Sequence, residues 1–151
     1  MYRILERNIP VQIDIEIKTK VGTRRRQAKN VVGEIPGTDL KDEIVMLGAH
    51  FDTWHASPNA SDNSSGVAVM LEAMRILKTI NVKPRRTIRV ALWSGEEQGL
   101  HGSREYVYKH FGDPNDPKIG KKKDYDKLSA YFNQDYGPGP VSYTHLRAHE
   151  T

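Results

Sequence analysis

The sequence contains no cysteine among its 151 residues. Without thiols the chain cannot form disulfide bonds, use a thiolate nucleophile, or bind zinc or an iron–sulfur cluster through cysteine. The absence leaves the redox compartment open, because a protein without thiols is compatible with reducing and oxidising surroundings alike. Any metal site in this chain has to be built from histidine and carboxylate side chains.

Long apolar runs are also missing. The sequence has no stretch of about 18 consecutive apolar residues, the length at which a transmembrane helix is read from sequence. Its first ten residues, MYRILERNIP, lack the apolar core of a signal peptide. We therefore predict no transmembrane segment in this chain.

The chain has only a small excess of positive charge. It contains 23 Lys and Arg against 19 Asp and Glu, which gives a formal net charge of +4. Its basic residues form scattered clusters at residues 24–26, 85–86 and 121–123, with no aromatic residues interleaved. Nucleic-acid-binding surfaces instead concentrate basic residues on one face. We predict that these clusters lie in solvated turns and loop ends, and that the protein does not bind nucleic acid.

Hydrophobic periodicity predicts five strands. Residues 11–17 alternate apolar and polar side chains, which is typical of a strand with one solvent-exposed face. Residues 43–49 form a nearly continuous apolar run, as expected of a strand buried on both faces. The other predicted strands cover residues 30–35, 87–93 and 128–134, and the polar segments 20–29 and 112–126 are predicted to be a turn and a surface loop.

Two helices are predicted between these strands. Apolar residues recur at helical spacing over residues 67–77, which predicts a helix from residue 64 to residue 80 with Asn63 or Ser64 as its N-cap. A second helix is predicted over residues 100–110. Strands that alternate with helices indicate an α/β fold with a parallel sheet, and the length suits one domain with a real core.

Acidic and imidazole side chains follow three of the predicted strands. They are His50 and Asp52 after the strand at 43–49, Glu96 and Glu97 after the strand at 87–93, and Asp135 after the strand at 128–134, while Asp62 precedes the first helix. In open α/β sheets, ligands bind at the carboxyl ends of the strands. We therefore expect these six side chains to meet at one edge of one sheet, with the strands parallel.

So many carboxylates cannot share a small site without a counter-charge, because like charges raise one another's pKa values. A bound cation removes this conflict, and a mixed set of histidine and carboxylate ligands suits Zn²⁺, with Mn²⁺ or Co²⁺ as chemical substitutes. His50 and Asp52 point the same way on an extended segment, so Asp52 can orient the imidazole. Of the neighbours Glu96 and Glu97, one can bind metal while the other transfers a proton.

Three motifs follow one another in the chain: GAHFDT at residues 48–53, ASDNSSG at 60–66 and SGEEQGLHGS at 94–103. Together, in this order, they resemble the motifs of the M28 family of zinc peptidases. This family contains dinuclear aminopeptidases and their carboxypeptidase relatives. The resemblance covers about residues 30–135, with a helix and a strand between the motifs as the family requires. It implies a mixed, mainly parallel sheet flanked by helices in a three-layer α/β sandwich, which this chain would hold incompletely.

The resemblance implies a role for four metal ligands. His50 and Asp135 would bind one zinc ion, and Glu97 would bind the other. Asp62 would bridge the two ions, and the peptide bond that joins it to Asn63 would be cis.

The resemblance also implies the reaction, which is hydrolysis of a peptide bond next to a free terminus. Glu96 would be the general base for a water activated by two zinc ions, and Asp52 would orient the His50 ring. The partner would be a peptide substrate; the sequence predicts neither its identity nor the oligomeric state.

Both ends of the chain differ from the family pattern. The family has a further zinc-binding histidine far downstream, and His145 and His149 are too close to Asp135 to take that role. Residues 141–151, VSYTHLRAHET, look like translated sequencing-adapter DNA, so residues 138–151 are expected to be a non-native tail. Residues 1–28 resemble the return from an inserted protease-associated domain, which leaves residues 29–137 as the N-terminal half of the catalytic domain. We expect an inactive fragment of a secreted or periplasmic enzyme.

Two other interpretations stay open. A non-catalytic homologue could serve as a binding or receptor ectodomain, although such relatives lose ligands that this sequence keeps. A single-zinc acyltransferase of the glutaminyl-cyclase kind would share the fold. The HxD motif and the Glu pair favour the peptidase, and the number of bound metal ions would separate the two enzymes.

Overall fold

A computed structural model describes residues 6–7, 10–20, 22, 27–58, 60–113 and 115–135. Its elements, in chain order, are β1 (Val31–Ile35), β2 (Leu40–His50), α1 (Ser64–Thr79), β3 (Arg86–Trp93), α2 (His101–His110), β4 (Gly112–Asp113), β5 (Gly120–Lys121), a 3₁₀ helix (Tyr125–Lys127) and β6 (Leu128–Asn133). The predicted tail at residues 138–151 lies outside the described residues, as does part of the predicted turn at 20–29.

Four strands form the main sheet, in the order β1-β3-β2-β6. Strand β2 runs parallel to β3 on one side and to β6 on the other, while β1 pairs antiparallel with β3. The prediction of a mixed, mainly parallel sheet is confirmed, and so is the prediction that its parallel strands lie together. The parallel arrangement brings the carboxyl ends of β2, β3 and β6 to one edge.

Helices cover both faces of this sheet. Alternate residues of β3 point to opposite sides, so Val90 and Leu92 pack in one cluster and Ala91 and Trp93 in another. Helix α1 adds Met70 to the first cluster, and the segment after α2 adds Phe111 to the second. Strand β2 contributes to both clusters, which explains its nearly continuous apolar sequence. In the described ranges, neither helix combines the length and the apolar character needed to cross a bilayer.

Helix α1 matches its prediction to within one residue at its C-terminal end. The side chain of Asn63 caps it by accepting a hydrogen bond from the Gly66 backbone N–H at 3.2 Å. The predicted loop at residues 112–126 contains more order than expected, because β4 and β5 pair within it and the 3₁₀ helix begins at its end.

The predicted strand at residues 11–17 is wrong. Residues 10–20 form no strand, and the side chains of Ile15 and Ile17 are 74% and 76% exposed. Among the described strands none pairs with this segment. A strand needs a neighbour to satisfy its backbone N–H and C=O groups, so alternating side chains alone do not produce one.

A partly buried tyrosine hydroxyl links β3 and β6 beneath the edge of the sheet where the carboxyl ends of the parallel strands meet. The Tyr131 side chain on β6 donates a hydrogen bond to Asn133 Oδ1 at 2.6 Å and accepts one from Trp93 Nε1 at 2.7 Å. Burial raises the pKa of Tyr131 from its ordinary value of 10.0 to about 12. The hydroxyl is therefore a neutral link between β3 and β6.

We expect this link to make the protein sensitive to alkali. The folded chain holds the Tyr131 proton more tightly than the unfolded chain, so its stabilisation is complete below pH 10 and is lost as pH rises toward about 12. The loss over this window is about 3 kcal/mol for two pKa units. Urea unfolding across the window measures it, and Tyr131→Phe, which cannot ionise there, should show a smaller loss. An equal loss in the variant would contradict the assignment.

Candidate metal centre

The candidate centre is built around His50, the last residue of β2. This residue pairs with Trp93 on β3, and its side chain is 2% exposed. Its Nδ1 lies 3.1 Å from the backbone carbonyl oxygen of Asp52. A carbonyl oxygen can only accept, so Nδ1 donates the hydrogen bond and the lone pair of Nε2 is left to face the site.

Carboxylates from three other segments surround Nε2 of His50. Its distance is 3.0 Å to Asp62 Oδ1, 3.3 Å to Asp135 Oδ1 and 3.8 Å to Glu96 Oε2. These residues lie before α1, after β6 and after β3 respectively. The expectation that strand ends bring these side chains together at one edge of the sheet is met by this geometry.

A three-residue group in this cluster has the spacing of metal ligands. One ligand atom from each of His50, Asp62 and Glu97 lies within 4.8 Å of the other two. The sequence resemblance assigned His50 and Glu97 to different zinc ions, whereas here they belong to one group. Which ion each ligand holds stays a prediction.

Asp52 contributes both its backbone and its side chain. Its carbonyl accepts from His50, and its carboxylate accepts the backbone N–H groups of Glu96 at 3.0 Å and Glu97 at 3.3 Å. The carboxylate also lies 3.7 Å from His50 Nδ1. Asp52 thus ties the imidazole to the loop after β3, a second connection that the HxD spacing did not predict.

Two glycines give that loop its sharp turn. Gly95 has φ +63° and Gly99 has φ +122°, a range that side-chain-bearing residues rarely adopt. The turn closes where the N–H groups of Gly99 and Leu100 each donate to the Glu96 carbonyl at 2.9 Å. The glycines of the SGEEQG sequence therefore fold the chain so that both glutamates lie at the end of β3.

Asn63 fixes the aspartate on the other side of the centre. Its side chain is fully buried, donates to the Gln134 carbonyl at 2.9 Å and accepts from the Gly66 N–H. These bonds join the start of α1 to the end of β6 and hold Asp62 near Asp135. The peptide bond between Asp62 and Asn63 is cis, as the resemblance implied.

The electrostatics of the centre are those of an acidic cluster with one imidazole. Burial raises the pKa of Glu96, and the neighbouring Asp135 and Glu97 carboxylates raise it further. Burial and the charge of Asp62 likewise raise the pKa of Glu97. Burial alone would lower the pKa of His50, but the Asp135 and Glu96 carboxylates outweigh it and raise that pKa. One imidazole with several carboxylates and no thiol is a donor set that fits a zinc ion.

All six side chains singled out from the sequence lie in this centre, but sequence reasoning missed two that support it. Asn63 was expected only as a helix cap, and Asn30 was not expected to take part. Their bonds reach residues 64 to 72 positions away, to Ser94, Gly102 and Gln134. No local pattern marks such bonds. His145 and His149 lie outside the described residues.

Comparison with known proteins places these features in a family. The profile of "Peptidase family M28" matches residues 30–144. Carboxypeptidase Q from Xenopus laevis is 33% identical over 101 residues, which cover 65% of this chain and 22% of that protein.

Solved structures agree with the sequence match. A peptidase M28 precursor from Shewanella amazonensis has a TM-score of 0.65 and 35% identity, covering 74% of this chain and 23% of that one. A zinc aminopeptidase from Bacillus subtilis has a TM-score of 0.58 and 33% identity, covering 71% of this chain and 24% of that one. The chain thus spans about a quarter or less of these relatives.

The profile match includes the three motifs and all six side chains of the centre. Its 30–144 range also includes β1 through β6, so the family and the fold coincide over the same residues. This chain belongs to peptidase family M28.

Proposed function

We propose that this chain carries the metal centre of a zinc peptidase that hydrolyses a peptide bond next to a free terminus. The observation that carries the proposal is the buried imidazole of His50, whose Nε2 lies within 3.8 Å of three carboxylates from distant segments. Membership of family M28 supports a hydrolase, and similarity to a zinc aminopeptidase and to carboxypeptidase Q supports zinc and terminal cleavage.

The ligands divide between two ions in this proposal. His50 and Asp135 would hold the first ion, because His50 Nε2 lies 3.3 Å from Asp135 Oδ1. Glu97 would hold the second ion, and Asp62 would bridge the two, because its ligand atom lies within 4.8 Å of those of both His50 and Glu97. The second ion would take a further imidazole that the described residues do not supply, so these residues by themselves would not complete an active peptidase.

Glu96 is the proposed proton carrier. Its carboxylate lies 3.8 Å from His50 Nε2 and is 23% exposed, but it is not part of the three-ligand group. Zinc bound at this site would lower the pKa of a water and polarise the substrate carbonyl. Glu96 would accept a proton from the attacking water and deliver it to the leaving amine. Asp52 would keep Glu96 in place through the backbone hydrogen bond at 3.0 Å.

Zinc binding to the chelator-treated chain tests this proposal. We expect a site that His50→Ala weakens at least about 100-fold, because the variant loses a ligand itself and outer-shell losses alone cost 10–100-fold. Competition with a chromophoric chelator measures the affinity. The matched control is His110→Ala on α2, whose ring stacks on Tyr106 with centroids 4.4 Å apart.

The outcomes separate the interpretations. Loss of zinc in His50→Ala but not in His110→Ala supports the proposed centre. A wild-type chain that binds no zinc would contradict it and favour a non-catalytic binding role. If the full-length protein binds only one zinc ion, and substitution of Asp135 does not change its affinity, the result would favour the single-zinc acyltransferase.

A further inference from the structure

Behind the loop that carries Glu96 and Glu97 lies a side chain with three hydrogen bonds. The Asn30 carboxamide oxygen accepts from the Ser94 backbone N–H at 3.1 Å and from the Ser94 hydroxyl at 3.2 Å. Its nitrogen donates to the Gly102 carbonyl at 2.9 Å. One amide thus contacts both ends of the segment between Ser94 and Gly102.

These two ends bracket the functional loop. Ser94 is the first residue after β3, and Gly102 lies in the first turn of α2. The Gly102 N–H donates to the Ser94 carbonyl at 2.8 Å, which closes the base of the loop. A Cβ at residue 102 would meet Asn30 Oδ1 and Ser94 backbone atoms far inside contact distance, so only glycine admits this junction.

The loop is therefore held at two places. Asp52 binds the N–H groups of Glu96 and Glu97 from the site, and Asn30 fixes the base of the loop from the opposite end. We infer that Asn30 is a positioning residue for the two glutamates, acting through the loop backbone and touching neither of them. This inference rests on the proposed function, in which Glu97 binds metal and Glu96 carries a proton.

The chemistry of Asn30 is specific. A single group must accept two hydrogen bonds on one atom and donate one from the other, and a primary amide does this. The variant Asn30→Asp would keep the acceptor for Ser94 but place a second oxygen against the Gly102 carbonyl. Asn30→Ala would remove all three bonds. Both variants are expected to free the loop.

Two measurements on the full chain test the inference. The first is zinc affinity by chelator competition, which we expect to fall about 10–100-fold in Asn30→Ala, as for other residues that orient metal ligands. The second needs no metal: amide hydrogen exchange at Glu96 and Glu97 in the metal-free chain, which we expect to quicken at least about tenfold, because locally opened N–H groups exchange fastest.

The matched control is Thr87→Val at the far end of β3. Thr87 is also a buried polar side chain that bridges two backbone groups. Its hydroxyl accepts from the Gly37 N–H at 3.1 Å and donates to the Lys41 carbonyl at 2.7 Å. The control should lower global stability without changing zinc affinity or selectively speeding exchange at Glu96 and Glu97. Asn30→Asp provides the second variant if Asn30→Ala does not fold.

The two measurements test different claims, so each can be contradicted without the other. Unchanged exchange at both glutamates in the Asn30 variants would overturn the positioning role, whatever the metal result. Faster exchange in Thr87→Val to the same extent would also overturn it, because the effect would then be global. If the wild-type chain binds no zinc, the proposed metal centre fails, while exchange still decides the role of Asn30.

Discussion

Glu97→Gln is expected to lose zinc while Glu96→Gln keeps it, although the two residues are adjacent. The reason is geometric: Glu97 belongs to the group of three ligands within 4.8 Å of one another, and Glu96 does not. In a preparation with peptidase activity, Glu96→Gln should retain its metal and lower kcat about 10²–10⁴-fold, the usual contribution of a general base. KM should change little, because the base acts mainly in the transition state.

Metal analysis beside steady-state kinetics checks this pair of variants. Glu105→Gln on α2 is the matched control, since it removes the same charge from an exposed position outside the centre. Loss of zinc in Glu96→Gln with retention in Glu97→Gln would show that the two roles are reversed. An equal loss of zinc in both variants would show that metal binding does not belong to Glu97 alone.

Asn63→Ala is expected to be the most destabilising alanine substitution at the site. The buried amide joins the Gly66 N–H to the Gln134 carbonyl, and the variant loses both hydrogen bonds. Removing one partner of a buried hydrogen bond costs about 1–3 kcal/mol, and loss of an N-cap costs about 1 kcal/mol, so we expect a loss of about 2–4 kcal/mol in the free energy of unfolding. Denaturant unfolding of the metal-free chain measures this loss.

Two further variants serve as comparisons for Asn63→Ala. Asn63→Asp keeps the acceptor for Gly66 but places a buried carboxylate oxygen against the Gln134 carbonyl, so its loss should be at least as large as that of Asn63→Ala. Ser65→Ala removes an exposed hydrogen bond to the Ser61 carbonyl in the same helical turn and should change stability by less than about 0.5 kcal/mol. A similar loss in Ser65→Ala and Asn63→Ala would show that the bridge to β6 is unimportant.

The strands and helices around the site could be predicted because their signals are local. The apolar run at residues 43–49 lies within β2, and the helical spacing at residues 67–77 lies within α1. Both elements pack on partners that the chain itself provides. The segment at residues 11–17 has an equally clear pattern but no paired strand among the described residues, and periodicity does not report whether a partner exists.

The sequence predicts which side chains form the site, but it does not predict the hydrogen bonds that hold them in place. The acidic residues and His50 stand next to strand ends or a helix start, where parallel topology brings them together. The hydrogen bonds that fix them have no such signature. Asn30 reaches Gly102 across 72 positions, and Asp52 uses a backbone carbonyl toward His50, which no side-chain pattern encodes.

The candidate ligands are far apart in the chain, and His50 and Asp135 are separated by 85 residues. They meet only after the central sheet has formed, so an ion that binds them all binds the folded state and not the unfolded one. By mass action, free zinc at 100 times the dissociation constant would then add about 2.7 kcal/mol to the stability of the fold. The folded population of this protein would therefore depend on the zinc concentration of its surroundings.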